Sequence, residues 1–175
     1  DNSTITQVTM TATSTNTTLV PNNSTNLVLG GSGDNRSINV VPVNDQIGVT
    51  TVTLTVTDPD GLTGTHTFDV TVADVNDPPV FSCAANPTVD EDSGASTLDC
   101  PLSDLEQPLS GVNTTILSNS NPGLFGAISL SNSGGTRTLS YTPALNENGS
   151  ANVTLRADDQ QGENNTTDVL VIITV

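Results

Sequence analysis

Asp74, Asn76 and Asp77 crowd three oxygen-bearing side chains into the first four positions of DVNDPPVF (74–81), and two prolines follow at once. Carboxylates and amides packed this closely suit one of two tasks. They hold a hard divalent cation, which takes about six to eight oxygen ligands. Alternatively they cap a strand and shape a turn in front of a stiff Pro-Pro linker. In the first case the stretch is half of a cation site at a domain joint, and in the second it is a spacer.

No other group of residues assembles recognisable chemistry. His66, the one histidine, begins a strand beside threonines and has no partner nucleophile. Acid pairs such as Asp158–Asp159 fall in turns, with no aromatic cleft to hold a sugar. GGSGD (30–34) is too short for a phosphate loop and lies between strands, so it reads as a turn. Neither a Ser-His-Asp set nor a cysteine–histidine pair can be built. The chain is therefore expected not to be an enzyme.

The composition narrows the partners. There are 19 acids against three arginines and no lysine, for a formal charge of −16. Phosphate binding needs Lys and Arg, so nucleic acid and anionic membrane surfaces are not expected as partners. An excess of carboxylates keeps a chain soluble and gives it a use for divalent cations. Charged residues are only 13% of the chain, too few for a disordered acidic tail. Threonine and valine favour strands, while Asn, Gly and Asp favour turns. An extracellular, all-β chain with many turns is expected. No run of 18 apolar residues is present to insert into a membrane. The sequence has neither an initiator Met nor a signal peptide, and is expected to be a processed or excised piece.

The elements that must position Asp74 to Asp77 are legible from alternation. In TTVTLTVTDPDG, Val52, Leu54 and Val56 point one way and Thr51, Thr53, Thr55 and Thr57 the other, ending in an Asp-Pro-Asp-Gly turn. THTFDVTVADV continues with Phe68, Val70 and Val72 inward. The same two strands return as ANVTLRADDQQG and TTDVLVIITV. Pro42 then matches Pro143, Gly48 matches Gly149, Asp58 matches Asp159, Gly61 matches Gly162 and Phe68 matches Val169. A constant offset over these landmarks predicts tandem domains, residues 1–76 and 77–175. The second has room for about seven strands, the size of an immunoglobulin-like sandwich. In the first, Asp1 falls where the second has Asp104 to Glu106, so the first two strands are missing. Either the chain is cut from a longer array or a neighbouring chain supplies them.

Cys83 and Cys100 flank the turn signal DEDSGA (90–95) almost symmetrically. A hairpin closing there brings them opposite each other and predicts a disulfide, with two buried thiols as the alternative.

DVNDPPVF at the end of a last strand, followed by PTVDEDSG, resembles the joint between cadherin repeats. STNTTLVP, GGSGDNRSINVVPVNDQIG and YTPALNENGSANVTL are similar to phrases in the cadherin-like and Ig-like tandem repeats of large bacterial surface adhesins. The resemblance implies tandem cadherin-like sandwiches and calcium at the joint. The implied ligands are Asp74, Asn76 and Asp77 from the linker and Asp45 from the base loop before it. Asp104, Glu106, Asn113 and Asp159 would come from the following domain. Glu91 would face a site after its own domain. The family's matching glutamate for this joint has no counterpart in the chain, so one ligand is absent from the set. Calcium remains an alternative to a stiff linker free of metal.

Asn-x-Ser/Thr sequons occur at Asn2, Asn16, Asn22, Asn23, Asn35, Asn113, Asn148, Asn152, Asn164 and Asn165, candidate glycosylation sites if the source glycosylates asparagine. The expected function is a structural segment of an extracellular stalk, adhesin or filament. Its partners are neighbouring repeats of the same or an identical chain, and cell-surface glycans or proteins. Two alternatives are a fibre subunit completed by a strand from another chain, and a carbohydrate-binding module. With three Phe, one Tyr and no Trp, the chain is poor in aromatics for the latter.

Overall fold

A computed structural model describes residues 8–32, 35–132 and 134–175, and they are all-β. The chain separates into two compact units, Asp1–Val75 and Asn76–Val175. The division falls inside DVNDPP.

The first unit contains β1 (Thr9–Ser14), β2 (Leu27–Ser32), β3 (Asn35–Val40), β4 (Gly48–Thr57) and β5 (Thr63–Val72). β4 lies between β1 and β5 in an antiparallel sheet, and β2 pairs with β3. Alternation sets the register: Val52 stands opposite both Ser14 and Phe68. Leu19, Val20, Leu27 and Val52 are buried, with Ala12, Ile38, Val40, Phe68, Val70 and Val72 packed around them. Burial fades along β4. Val52 is fully covered, Leu54 is half-buried, and Val56 is 38% exposed although it shares their face.

The second unit contains β6 (Val80–Phe81), β7 (Ser96–Ser103), β8 (Asn113–Asn119), β9 (Phe125–Leu130), β10 (Thr136–Pro143), β11 (Ser150–Asp158) and β12 (Thr166–Thr174). One sheet has the order β6-β7-β10-β9 and the other β12-β11-β8. Between them lie Phe81, Leu102, Leu139, Tyr141, Val153, Leu155, Val171 and Ile173. Phe125 meets Tyr141 edge to face, with ring centroids 6.1 Å apart.

The two units share a plan. β1-β4-β5 has the strand order of β8-β11-β12, and the β2–β3 pair corresponds to β9–β10. The turns repeat as well: Gly48 and Gly149 have φ 133° and 132°, and Gly61 and Gly162 have φ 85° and 72°. A β-carbon is strained in these conformations, so glycine recurs at both places in both units. Among the described residues, no strand of the first unit corresponds to β6 or β7.

Cys83 and Cys100 form a disulfide with Cα atoms 4.2 Å apart. β6 and β7 are antiparallel, with Val80 opposite Ser103 and Phe81 opposite Leu102, and that register continued brings the cysteines face to face. The intervening chain is more than a hairpin. It crosses to the other sheet, where Thr88 bridges Thr174 in parallel. It then turns at Asp90–Ser93 and returns as β7.

Candidate cation-binding site

At one end of the second unit, the turn after β11 sets Asp159 among backbone and amide donors. Its side chain is 2% exposed. Oδ1 accepts from the Gln161 amide at 2.8 Å and Oδ2 from Asn76 Nδ2 at 2.9 Å. Asn76 Nδ2 also lies 3.2 Å from the Glu163 carbonyl and 3.3 Å from that of Asn164. The first residue of the second unit is thereby moored to the loop between β11 and β12.

The loop after β7 supplies the other wall. Asp104 Oδ1 accepts from the amides of Glu106 and Gln107 at 3.1 and 3.0 Å, an Asx turn that fixes the loop. Glu106 Oε2 faces the Asp77 amide at 3.4 Å. Gln107 Nε2 donates to the Asp159 carbonyl at 2.7 Å, and Gln107 Oε1 accepts from Gln161 Nε2 at 2.9 Å. The two loops are thus cross-linked through their polar side chains.

Two oxygens in this cluster have no hydrogen-bond partner although they are buried: Asn76 Oδ1 and Asp104 Oδ2. A buried oxygen without a donor costs about 1–3 kcal/mol, and a hard cation is one way to satisfy it. The donor set of carboxylate and amide oxygens therefore fits calcium chemically. Among the described residues, no three His, Cys, Asp or Glu side chains are already grouped to hold an ion.

Three further sequence-derived ligands are Asn113 in the second unit and Asp45 and Asp74 in the first. Asn113 opens β8 opposite Asp158, and its Oδ1 accepts from Asn132 Nδ2 at 2.7 Å. In the first unit Asp74 is exposed, and Asp45 is exposed with a left-handed φ of 59°. His66 is exposed on β5. Among the sequons, Asn22, Asn23, Asn35, Asn148, Asn152 and Asn164 are exposed, while Asn16, Asn113 and Asn165 are half-buried. Asn2 lies outside the described residues, as do Gly33 and Asp34 of the glycine-rich turn.

Sequence reasoning passed over Arg137. It is fully buried, and its guanidinium donates to the carbonyls of Gly134 at 2.8 Å, Leu109 at 3.0 Å and Val112 at 2.8 Å. Burial lowers its pKa. Its signal was the repeat itself, because Arg36 precedes it by the spacing that separates Pro42 from Pro143. Gln107 and Gln161 were also missed, since neutral amides carry no charge pattern.

The model of the bacterial Ig domain family matches residues 76–172. No curated protein matches the chain. Solved structures with a similar fold include the protocadherin gamma B4 extracellular domain, 16% identical with a TM-score of 0.54, covering 94% of this chain and 26% of that one. Protocadherin gamma B2 extracellular cadherin domains 1–5 are 18% identical with a TM-score of 0.57, covering 94% and 31%. Human CDH23 EC21–23 is 20% identical with a TM-score of 0.55, covering 97% and 58%. At these identities the likeness shows the fold alone. The chain spans 26% to 58% of the length of these three structures.

Proposed function

The chain belongs to the bacterial Ig domain family, and on that premise we propose that it is a tandem-repeat segment of an extracellular adhesin stalk or filament, stiffened by calcium at Asn76–Pro79. The role is mechanical: in a repeat array each unit contacts mainly its neighbours, so length is gained by adding copies. Neighbouring repeats are the first partners, with cell-surface glycans or proteins beyond them. The exposed sequon asparagines would carry glycans where the source modifies them.

The observation that carries the calcium reading is the pair of buried oxygens without donors, Asn76 Oδ1 and Asp104 Oδ2. Asn76, Asp77, Asp104, Glu106 and Asp159 would hold the ion, which would balance carboxylates that otherwise repel one another. Asp45 and Asp74 of the first unit, and Asn113, are proposed as further ligands on sequence pattern alone. Affinity should be of the extracellular kind, on the order of 0.1–1 mM.

Calorimetry of the chain in EDTA and then in calcium tests this. At ten times Kd, binding to the native state should add about 1.4 kcal/mol of stability by mass action. Asp104→Asn should remove most of that gain while leaving the EDTA melting temperature nearly unchanged. An identical melting curve with and without calcium would discard the cation and leave a proline linker.

A further inference from the structure

In the sheet β12-β11-β8, Val153 and Leu155 of β11 and Val171 and Ile173 of β12 face the core. Alternation turns the residues between them outward. Two rows cross that outer face. In one, Arg156 stands between Thr115 and Asp168, and its guanidinium pairs with the Asp168 carboxylate at 2.7 Å. In the next, Thr154 stands between Ser118 and Leu170, and a bulge adds Leu117 beside Ser118. Ile172 follows Leu170 on the same side of β12. Leu117 is 49% exposed, Leu170 55% and Ile172 37%.

The fold does not require apolar groups there. At the same register of the first unit, Thr53 and Thr51 stand opposite Thr67 and Asp69. The second unit has Thr154 and Asn152 opposite Leu170 and Ile172. The charges are also nearly balanced. These three strands carry Arg156 against two acids, Asp168 and, at the end of β11, Asp158. Chains of formal charge −16 repel one another, so a face close to neutral is where two copies approach with least repulsion. The pair is self-complementary as well. Arg156 on β11 neighbours Asp168 on β12, so half a turn about an axis along the strands, midway between them, exchanges the two. A second copy placed by that axis sets the partner's Asp168 over Arg156 and the partner's Arg156 over Asp168. It also seats the partner's Leu170 over Thr154, in the gap between Leu117 and Leu170.

We propose that this outer face is an interface between two copies of the chain, packed sheet on sheet about that twofold axis. Aligned sheets about 10 Å apart cover Leu170 and Ile172 of both copies. The four charges then alternate in sign around the axis, which fixes the register of the contact. Asn152 lies on the same face opposite Ile172, so a glycan there would bar the contact, which belongs to the unmodified chain. In the proposed stalk the contact joins identical chains side by side, but it is argued from the second unit alone and uses no metal.

The test is sedimentation equilibrium of the full chain, made without glycosylation and held in EDTA, at concentrations up to about 1 mM. A reversible monomer–dimer equilibrium is expected. Leu170→Asp should weaken it at least about tenfold, with the melting temperature close to that of the parent because the side chain is exposed. Arg156→Asp and Asp168→Arg chains should each stay monomeric alone, since each sets like charges face to face across the axis. Mixed in equal amounts they should associate, because each then meets its opposite. The screened pair within the chain contributes little to folding, so both variants keep the fold. A parent that stays monomeric throughout overturns the proposal. So does a dimer that survives Leu170→Asp, or a mixture of the two charge variants that does not associate. None of these outcomes involves an ion, so failure here leaves the calcium reading untouched, and the converse holds.

Discussion

A guanidinium buried among carbonyls is costly to desolvate, and Arg137 sits in the second unit with three of them as partners and its Nε unsatisfied. Arginine stays charged in such a place and spreads its donors in a rigid fork, which lysine cannot copy. The side chain thereby staples the turn before β8 to the turn before β10. Arg137→Met would fill similar space but leave the carbonyls of Gly134, Leu109 and Val112 without their donor. A loss of about 2–4 kcal/mol is expected, read as a lower urea midpoint. The pair Arg156–Asp168 is a contrast. Its bonds are 2.7 and 2.8 Å, and the hydrogen bond from Arg156 holds the Asp168 carboxyl below its ordinary value. Both side chains are more than a third exposed, so solvent screens most of the attraction.

At the scale of elements, the weakest strand guards the strongest burial. β6 has two residues, too few to hold β7 by pairing alone. The Cys83–Cys100 bond joins the chain after β6 to the middle of β7, opposite Arg137. In the chain-entropy model, closing a loop of this size contributes about 3 kcal/mol. A double Cys83→Ala, Cys100→Ala variant should lose roughly that amount, with β7 and β10 the first strands to lose hydrogen-exchange protection. If protection fell first in β12, the bond would be anchoring the Thr88 crossover instead.

For the molecule as a whole, a formal charge of −16 on 175 residues means that folding concentrates like charges. Sodium chloride should therefore raise the melting temperature gradually as screening shortens the range of repulsion. Site binding has a different signature. Calcium should saturate in the millimolar range, and magnesium at equal ionic strength should fall short, because it demands near-octahedral geometry and sheds water reluctantly. Equal effects of the two ions would reduce the carboxylates to general screening.

The sequence by itself determined the strands and turns. Period-two alternation in 48–57, 63–72, 150–158 and 166–174 is local, and the Asp-Pro-Asp-Gly and Gln-Gln-Gly turns punctuate it wherever the strands pack. The offset between the two halves already held the shared strand order. Tertiary structure alone decided what covers each face. Val56 and Ala157 occupy the same place in the alternation, yet one is exposed and the other buried, because burial depends on what packs across the sheet. The same holds for Arg36 and Arg137. It holds also for the candidate cation cluster, where Asn76 meets Asp159 directly and Gln107 and Gln161 tie the Asp104 loop to the Asp159 loop, all distant in sequence. Alternation is set by the backbone's own geometry, whereas cover and convergence are properties of chain segments meeting in space.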